Sequence, residues 1–228
     1  MPPLRIPSPA GFLEGCLEYP PAYTGRWAAL LCHPHPMYGG NMQHKVVVRM
    51  ADALRECGAA TLRFNFRGVG RSTGQHAHGA GEELDIAATW AFLRREAPAA
   101  QLILGGFSFG AWLALKVACS LPDLRYLLAV GLPIDRYDLS FWPTDHPPLL
   151  LIQGSRDEFG NRSVIMEFAR SAGDRITAAI IEDADHSFTG RLTPMMRSIG
   201  RHFQPLLSPS AIQKPDASTP SDQSEKSS

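Results

Sequence analysis

The run Leu102-Ile103-Leu104-Gly105-Gly106-Phe107-Ser108-Phe109-Gly110 carries a hydroxyl between two glycines, where an apolar segment gives way to a helical pattern. A strand that turns at once into a helix holds its apical residue in a strained conformation. The residues two before and two after it crowd the opposite chain, so both must be glycine-sized. The hydroxyl then projects above the sheet, and the first free N–H groups of the helix point at the same space. These are parts for acyl transfer: Ser108 as nucleophile and the Phe109 N–H as a donor to a developing oxyanion. Gly-x-Ser-x-Gly alone is a weak signal, because a serine between glycines is often only a turn. Its place at a strand-to-helix junction makes it specific.

A serine is a poor nucleophile until a base takes its proton, and a histidine does so near neutral pH. The base in turn needs a carboxylate to hold its tautomer and stabilise its cation. Both follow Ser108 at the ends of apolar runs. Asp157 stands in Gly154-Ser155-Arg156-Asp157-Glu158, and His186 in Asp183-Ala184-Asp185-His186-Ser187-Phe188. Sites in open α/β sheets form at the carboxyl ends of the strands, and serine, acid, histidine is the chain order of an elbow-type triad. Asp135, Asp138 and Asp145 are rivals to Asp157, with Asp135 the most serious because it also follows a strand end. His33, His35, His76, His78 and His146 do not follow the last strand. Asp183 and Asp185 read as loop solvation or local capping.

His33-Pro34-His35-Pro36-Met37-Tyr38-Gly39-Gly40 has two readings. Histidines at i and i+2 on a strand share a face, as in zinc sites, with His76 and His78 as a possible second pair. The loop after an early strand instead supplies the second oxyanion N–H, stiffened by prolines and allowed close to the serine by glycines. Pro34 and Pro36 have no N–H. The donor is therefore His35, Met37 or Tyr38, and position favours His35. The second reading accounts for every residue of the stretch, so no metal is expected.

The elements that must position these groups alternate along the chain. Strands are expected at 12–19 (near the sheet edge), 27–33, 59–66, 101–106, 125–131, 147–154 and 175–182. Helices are expected at 43–57, 82–96, 109–121, 162–171 and 194–203. Central strands that are apolar throughout, alternating with helices, indicate an α/β fold with a mostly parallel central sheet and helices on both faces. With 228 residues and 44% hydrophobic content, one domain over 1–206 is expected, followed by a disordered Ser/Pro-rich tail at 207–228. Lys+Arg and Asp+Glu both number 22, which gives no electrostatic reason to expect nucleic acid or an anionic membrane. Cys16, Cys32, Cys57 and Cys119 match no zinc or Cys-x-x-Cys spacing and read as reduced, mostly buried thiols. The absence of a signal-like or membrane-spanning apolar run completes the expectation of a soluble cytoplasmic protein.

HPHPMYGG, NMQHKVVVRMADAL, RFNFRGVGRSTG, GFSFG, GSRDE and DADHSF together resemble the compact, lidless bacterial-type α/β-hydrolases related to dienelactone hydrolases and small esterases. The resemblance runs from about Gly11 to Phe203. It implies the α/β-hydrolase fold and Ser108, Asp157 and His186 as triad, without fixing a substrate. Many members of the wider superfamily have Asp-x-Arg-Gly-x-Gly where this chain has Asn65-Phe66-Arg67-Gly68-Val69-Gly70, which argues against chemistry from that Asp position. Arg67 is expected to brace its loop. Only residues 131–146 separate two strands where a lid is often inserted, so a minimal cap is expected. Its Tyr137, Phe141 and Trp142 either cover the sheet end or contact substrate. Met37, Tyr38, Trp142 and Phe188 are the expected substrate contacts, with Phe109 beside them. The expected activity is hydrolysis of short- to medium-chain carboxylic esters through an acyl-enzyme, without cofactor. The same triad equally serves a thioesterase, a lactonase of the dienelactone type, or an amidase or peptidase. A non-catalytic binding protein on this scaffold is the reading from another class. The expected partner is a small-molecule ester, with the chain as monomer or homodimer.

Overall fold

The segment Trp27–Cys32 is wholly buried, and its side chains alternate between two cores. Ala28, Leu30 and Cys32 enter one, and Trp27, Ala29 and Leu31 the other. A strand with no polar face must be covered on both sides. The computed structural model describes residues 4–143, 145–171 and 173–207. Among these, the strands are β1 (Leu4–Ser8), β2 (Gly11–Glu18), β3 (Trp27–Cys32), β4 (Ala60–Phe64), β5 (Gln101–Phe107), β6 (Leu124–Val130), β7 (Leu149–Gly154) and β8 (Ile176–Ile181). They form one sheet in the order β1-β2-β4-β3-β5-β6-β7-β8. β1 and β2 run antiparallel to their neighbours; the other pairings are parallel.

Helices α1 (Lys45–Glu56) and α5 (Leu192–Leu207) cover one face through Val47, Met50, Leu54, Ile199 and Phe203. Helices α2 (Ala80–Glu96), α3 (Phe109–Val117) and α4 (Arg162–Ser171) cover the other through Ile86, Trp90, Leu113 and Ile165. This is the α/β-hydrolase fold, and every expected strand and helix is present.

Boundaries shift by up to four residues; α3, for one, ends at Val117 rather than at 121. β1, not foreseen, lies outside β2, so residues 12–19 stand one strand in, near the sheet edge as expected; Ile6 of β1 is buried. α5 runs beyond Phe203, and its last residue, Leu207, is buried. Leu207 therefore belongs to the folded domain, and 208–228 lie outside the described residues. The four thiols are free, Cys32 and Cys57 buried, Cys16 half-buried and Cys119 exposed. Burial pushes the Cys57 thiol up to about 11.

The first turn of α2 does more than match the helix dipole. Glu82 accepts hydrogen bonds from the N–H groups of Ala77 (2.9 Å) and Gly79 (2.8 Å), tying the incoming loop to the helix. Asp85, fully buried, accepts from the Arg67 N–H and Nε (both 3.0 Å) and from Nη2 (2.8 Å). Arg67 therefore braces the loop after β4, as expected.

Candidate active site

Ser108 stands between β5 and α3 with φ 56° and ψ −122°. A Cβ on Gly106 would collide with the Gly110 carbonyl, and one on Gly110 would come within 2.5 Å of the Cys32 carbonyl oxygen. The two glycines thus allow β3, β5 and α3 to meet at one corner. The Ser108 carbonyl accepts from Ala111 (2.8 Å) and Trp112 (3.1 Å), which starts the helix. The Phe109 N–H belongs to the first turn, where donors lack intrahelical partners.

His186 Nε2 lies 2.9 Å from Ser108 Oγ, and its Nδ1 lies 2.9 Å and 3.0 Å from the two carboxylate oxygens of Asp157. An ionised carboxylate only accepts, so Nδ1 carries the proton and Nε2 accepts from the serine. Asp157 is buried and also accepts from Gln153 Nε2 (2.7 Å) and the Phe159 N–H (2.9 Å). Gln153, at the end of β7, spans the corner: its Oε1 accepts from the Leu132 N–H (2.9 Å). Its role escaped the sequence reading; the one signal is a lone amide closing the apolar run Leu-Leu-Leu-Ile-Gln. The rival Asp135 is held elsewhere, accepting from the Asn161 N–H (2.9 Å). Asp185 accepts from Thr189 (2.8 Å), and Asp183 pairs with Arg156 and Arg191.

The turn after β3 separates the two histidines of HPHPMYGG. His33 is fully buried; its Nδ1–H donates to the Pro34 carbonyl (2.6 Å) and its Nε2 accepts from the Phe66 N–H (3.0 Å). Burial pushes its pKa down to about 4, so it is a neutral strut between two loops. His35 is only half-buried, its ring 4.7 Å from Phe109 and 4.9 Å from Tyr38. The Met37 N–H donates to His35 Nδ1 (3.2 Å) and the Tyr38 N–H to the His35 carbonyl (3.1 Å). Of the three candidate donors, two are thereby engaged. Gly39, at φ 79°, closes the short 3-10 turn Pro36–Tyr38, and a Cβ on Gly40 would strike the Pro34 carbonyl. His35 and His76 rings are 4.9 Å apart, as are His76 and His78, and His76 Nδ1 lies 2.9 Å from Glu82. Among the described residues no three His, Cys, Asp or Glu side chains are placed to hold a metal ion.

Ser108, Phe109, His186, His35 and Tyr38 line one open cavity of about 660 Å³, together with Pro34, His44, Phe107, Pro133, Arg136, Tyr137, Phe159 and Ser187. Three expected contacts fall outside its wall. Met37 projects into solvent from the 3-10 turn, 69% exposed. Trp142 packs at a tilt against His146 (4.5 Å between centroids) and against Phe168 (6.3 Å), because the segment after Tyr137 turns away to cover the α4 side of the sheet. Phe188 is fully buried in the α1–α5 core; the tight turn after His186, with Phe188 at φ 52°, sends Ser187 to the cavity and Phe188 beneath it. His44, Phe159 and Arg136 were not singled out from the sequence. His44 stacks on Phe107 (5.1 Å), whose ring also contacts His186 (5.0 Å). Its Nδ1 accepts the Val46 N–H (3.4 Å), so it reads locally as a helix cap. Burial lowers the pKa of both His35 and His44, keeping these imidazoles neutral at neutral pH.

No helix among the described residues is long and apolar enough to cross a membrane. Residues 28–198 match the family described as "Alpha/beta hydrolase domain". A protein of Rickettsia prowazekii is 35% identical over 214 residues, covering 89% of each chain. Among solved structures, an alpha-beta serine hydrolase homologue from Coxiella burnetii is 33% identical with a TM-score of 0.82, over 88% of this chain and 96% of that one. An α/β serine hydrolase without lid from Xanthomonas campestris is 32% identical with a TM-score of 0.82, over 91% and 95%. In this chain, too, residues 131–148 between β6 and β7 contain no helix among those described. The chain belongs to the alpha/beta hydrolase family.

Proposed function

We propose that the protein hydrolyses carboxylic esters by a serine mechanism. The observation that carries this reading is the unbroken line of hydrogen bonds from Ser108 Oγ through His186 to Asp157, opening on the cavity. His186 takes the Ser108 proton as the hydroxyl attacks the carbonyl. The oxyanion is held by the N–H groups of Phe109 and His35. His186 then gives the proton to the departing alcohol, leaving an acyl-Ser108. A water activated by His186 attacks this ester, releases the acid and restores the serine. Asp157, fixed by Gln153 and the Phe159 N–H, stabilises the imidazolium at both stages.

Pro133, Tyr137, Phe107 and Phe109 give the cavity an apolar lining suited to short- and medium-chain acyl groups. Its openness to water favours hydrolysis over transfer to another alcohol. Thioesters, lactones and amides call on the same three residues, and a substrate panel separates them. Ser108→Ala is expected to remove turnover of p-nitrophenyl acetate and butyrate while leaving the thermal unfolding midpoint nearly unchanged. Undiminished turnover in that variant rules out Ser108 as nucleophile.

A further inference from the structure

The cavity wall has a charge pattern that the line from Ser108 to Asp157 does not require. It contains one guanidinium, Arg136, and no carboxylate. Nearby acids are turned elsewhere: Asp157 to His186, Asp135 to the Asn161 N–H, Asp138 to Ser140, while Glu158 is exposed and outside the wall. Arg136 makes no ion pair and no side-chain hydrogen bond among the described residues. Its guanidinium carbon lies over the Phe159 ring, 5.5 Å from the centroid. Phe159 in turn meets the His186 ring edge-on at 4.7 Å. Two ring contacts in series therefore set an exposed cation close to the catalytic base, with its N–H donors free.

We propose that Arg136 selects esters that carry a carboxylate a few bonds from the reacting carbonyl. A planar guanidinium offers parallel N–H donors that match the two oxygens of a carboxylate. The Phe159 face supports the cation without consuming those donors. No acidic side chain on the wall repels an anionic substrate, and the neutral imidazoles of His35 and His44 do not compete with Arg136 for its charge. The inference rests on the ester-hydrolase reading and assigns it a substrate class.

The test uses the full chain and two matched pairs. The p-nitrophenyl monoester of glutaric acid against p-nitrophenyl valerate places the carboxylate on the acyl side with the leaving group unchanged. 4-Acetoxybenzoate against its methyl ester places it on the leaving side. In at least one pair, the charged-to-neutral ratio of kcat/KM is expected to exceed about tenfold, mainly through KM. Arg136→Gln should collapse that ratio, Arg136→Lys should keep part of it, and added salt should lower it. A ratio near one in both pairs, or one that survives Arg136→Gln, overturns the assignment. Ser108-dependent hydrolysis of the neutral esters without preference overturns Arg136 alone. Absence of Ser108-dependent hydrolysis of all four esters overturns the ester-hydrolase reading and this inference with it.

Discussion

Ser108 occupies a region of backbone space that costs a non-glycine residue about 1–3 kcal/mol, and the fold tolerates it because the hydroxyl is thereby lifted above the sheet. Its position was legible from Gly106 and Gly110, as were those of Asp157 and His186 from the strand ends they follow. Gln153 and Arg136 were not, because a single amide or guanidinium has no periodicity to betray its direction. His33 illustrates a residue whose type misleads: its spacing from His35 suggests a shared face, yet Pro34 turns the chain and both ring nitrogens are satisfied internally. Its folded pKa of about 4 lies below the ordinary value of 6.5, so the unfolded chain binds the extra proton more readily. The stabilisation is therefore complete above about pH 6.5 and drains away as pH falls towards 4, by about 2–3 kcal/mol at pH 4.5. Urea midpoints taken between pH 7 and 4.5, with an NMR titration of the His33 ring, check this. A ring that titrates near 6.5 shows that it is solvated.

At the scale of elements, apolar runs and 3.6-residue periods mark the helices and seven of the eight strands. β1 is too short and too rich in proline for its alternation to register. The cap segment is the other gap: composition shows aromatics between β6 and β7 but not where the chain bends, which decides that Tyr137 meets the cavity and Trp142 does not. Acids at the start of α2 suggest dipole matching, whereas Glu82 and Asp85 are buried anchors for the preceding loops. Two glycine substitutions should have opposite signs. Gly110→Ala forces a Cβ against the Cys32 and His33 carbonyls and should cost about 1–3 kcal/mol along with most of the proposed hydrolytic activity. Gly200→Ala, inside α5 with nothing within 4 Å of the new methyl, should gain about 0.5–1 kcal/mol. Thermal denaturation of the two variants decides both.

Over the whole molecule, the sheet divides the labour. One core, under α1 and α5, contains Phe203 and Ile199, while Ser108, Asp157 and His186 gather just after β5, β7 and β8. Phe203 is fully buried, does not line the cavity, and meets Tyr126 edge-on. Phe203→Ala should lower stability by about 3–5 kcal/mol, with kcat per folded molecule unchanged; a matching fall in kcat, measured well below the unfolding transition, would show that the two ends of the sheet are coupled. The parallel architecture was legible because continuous apolar strands admit no other burial.

The span between β6 and β7 has a consequence for timing. With no helix to swing aside among the described residues there, and with Ser108, His186 and Asp157 within hydrogen-bonding distance of one another, a small molecule meets finished machinery on arrival if the proposed ester-hydrolase reading holds. On that reading, the pace of each cycle should be left to bond making and breaking and to diffusion through an unguarded mouth, with no door to set the clock.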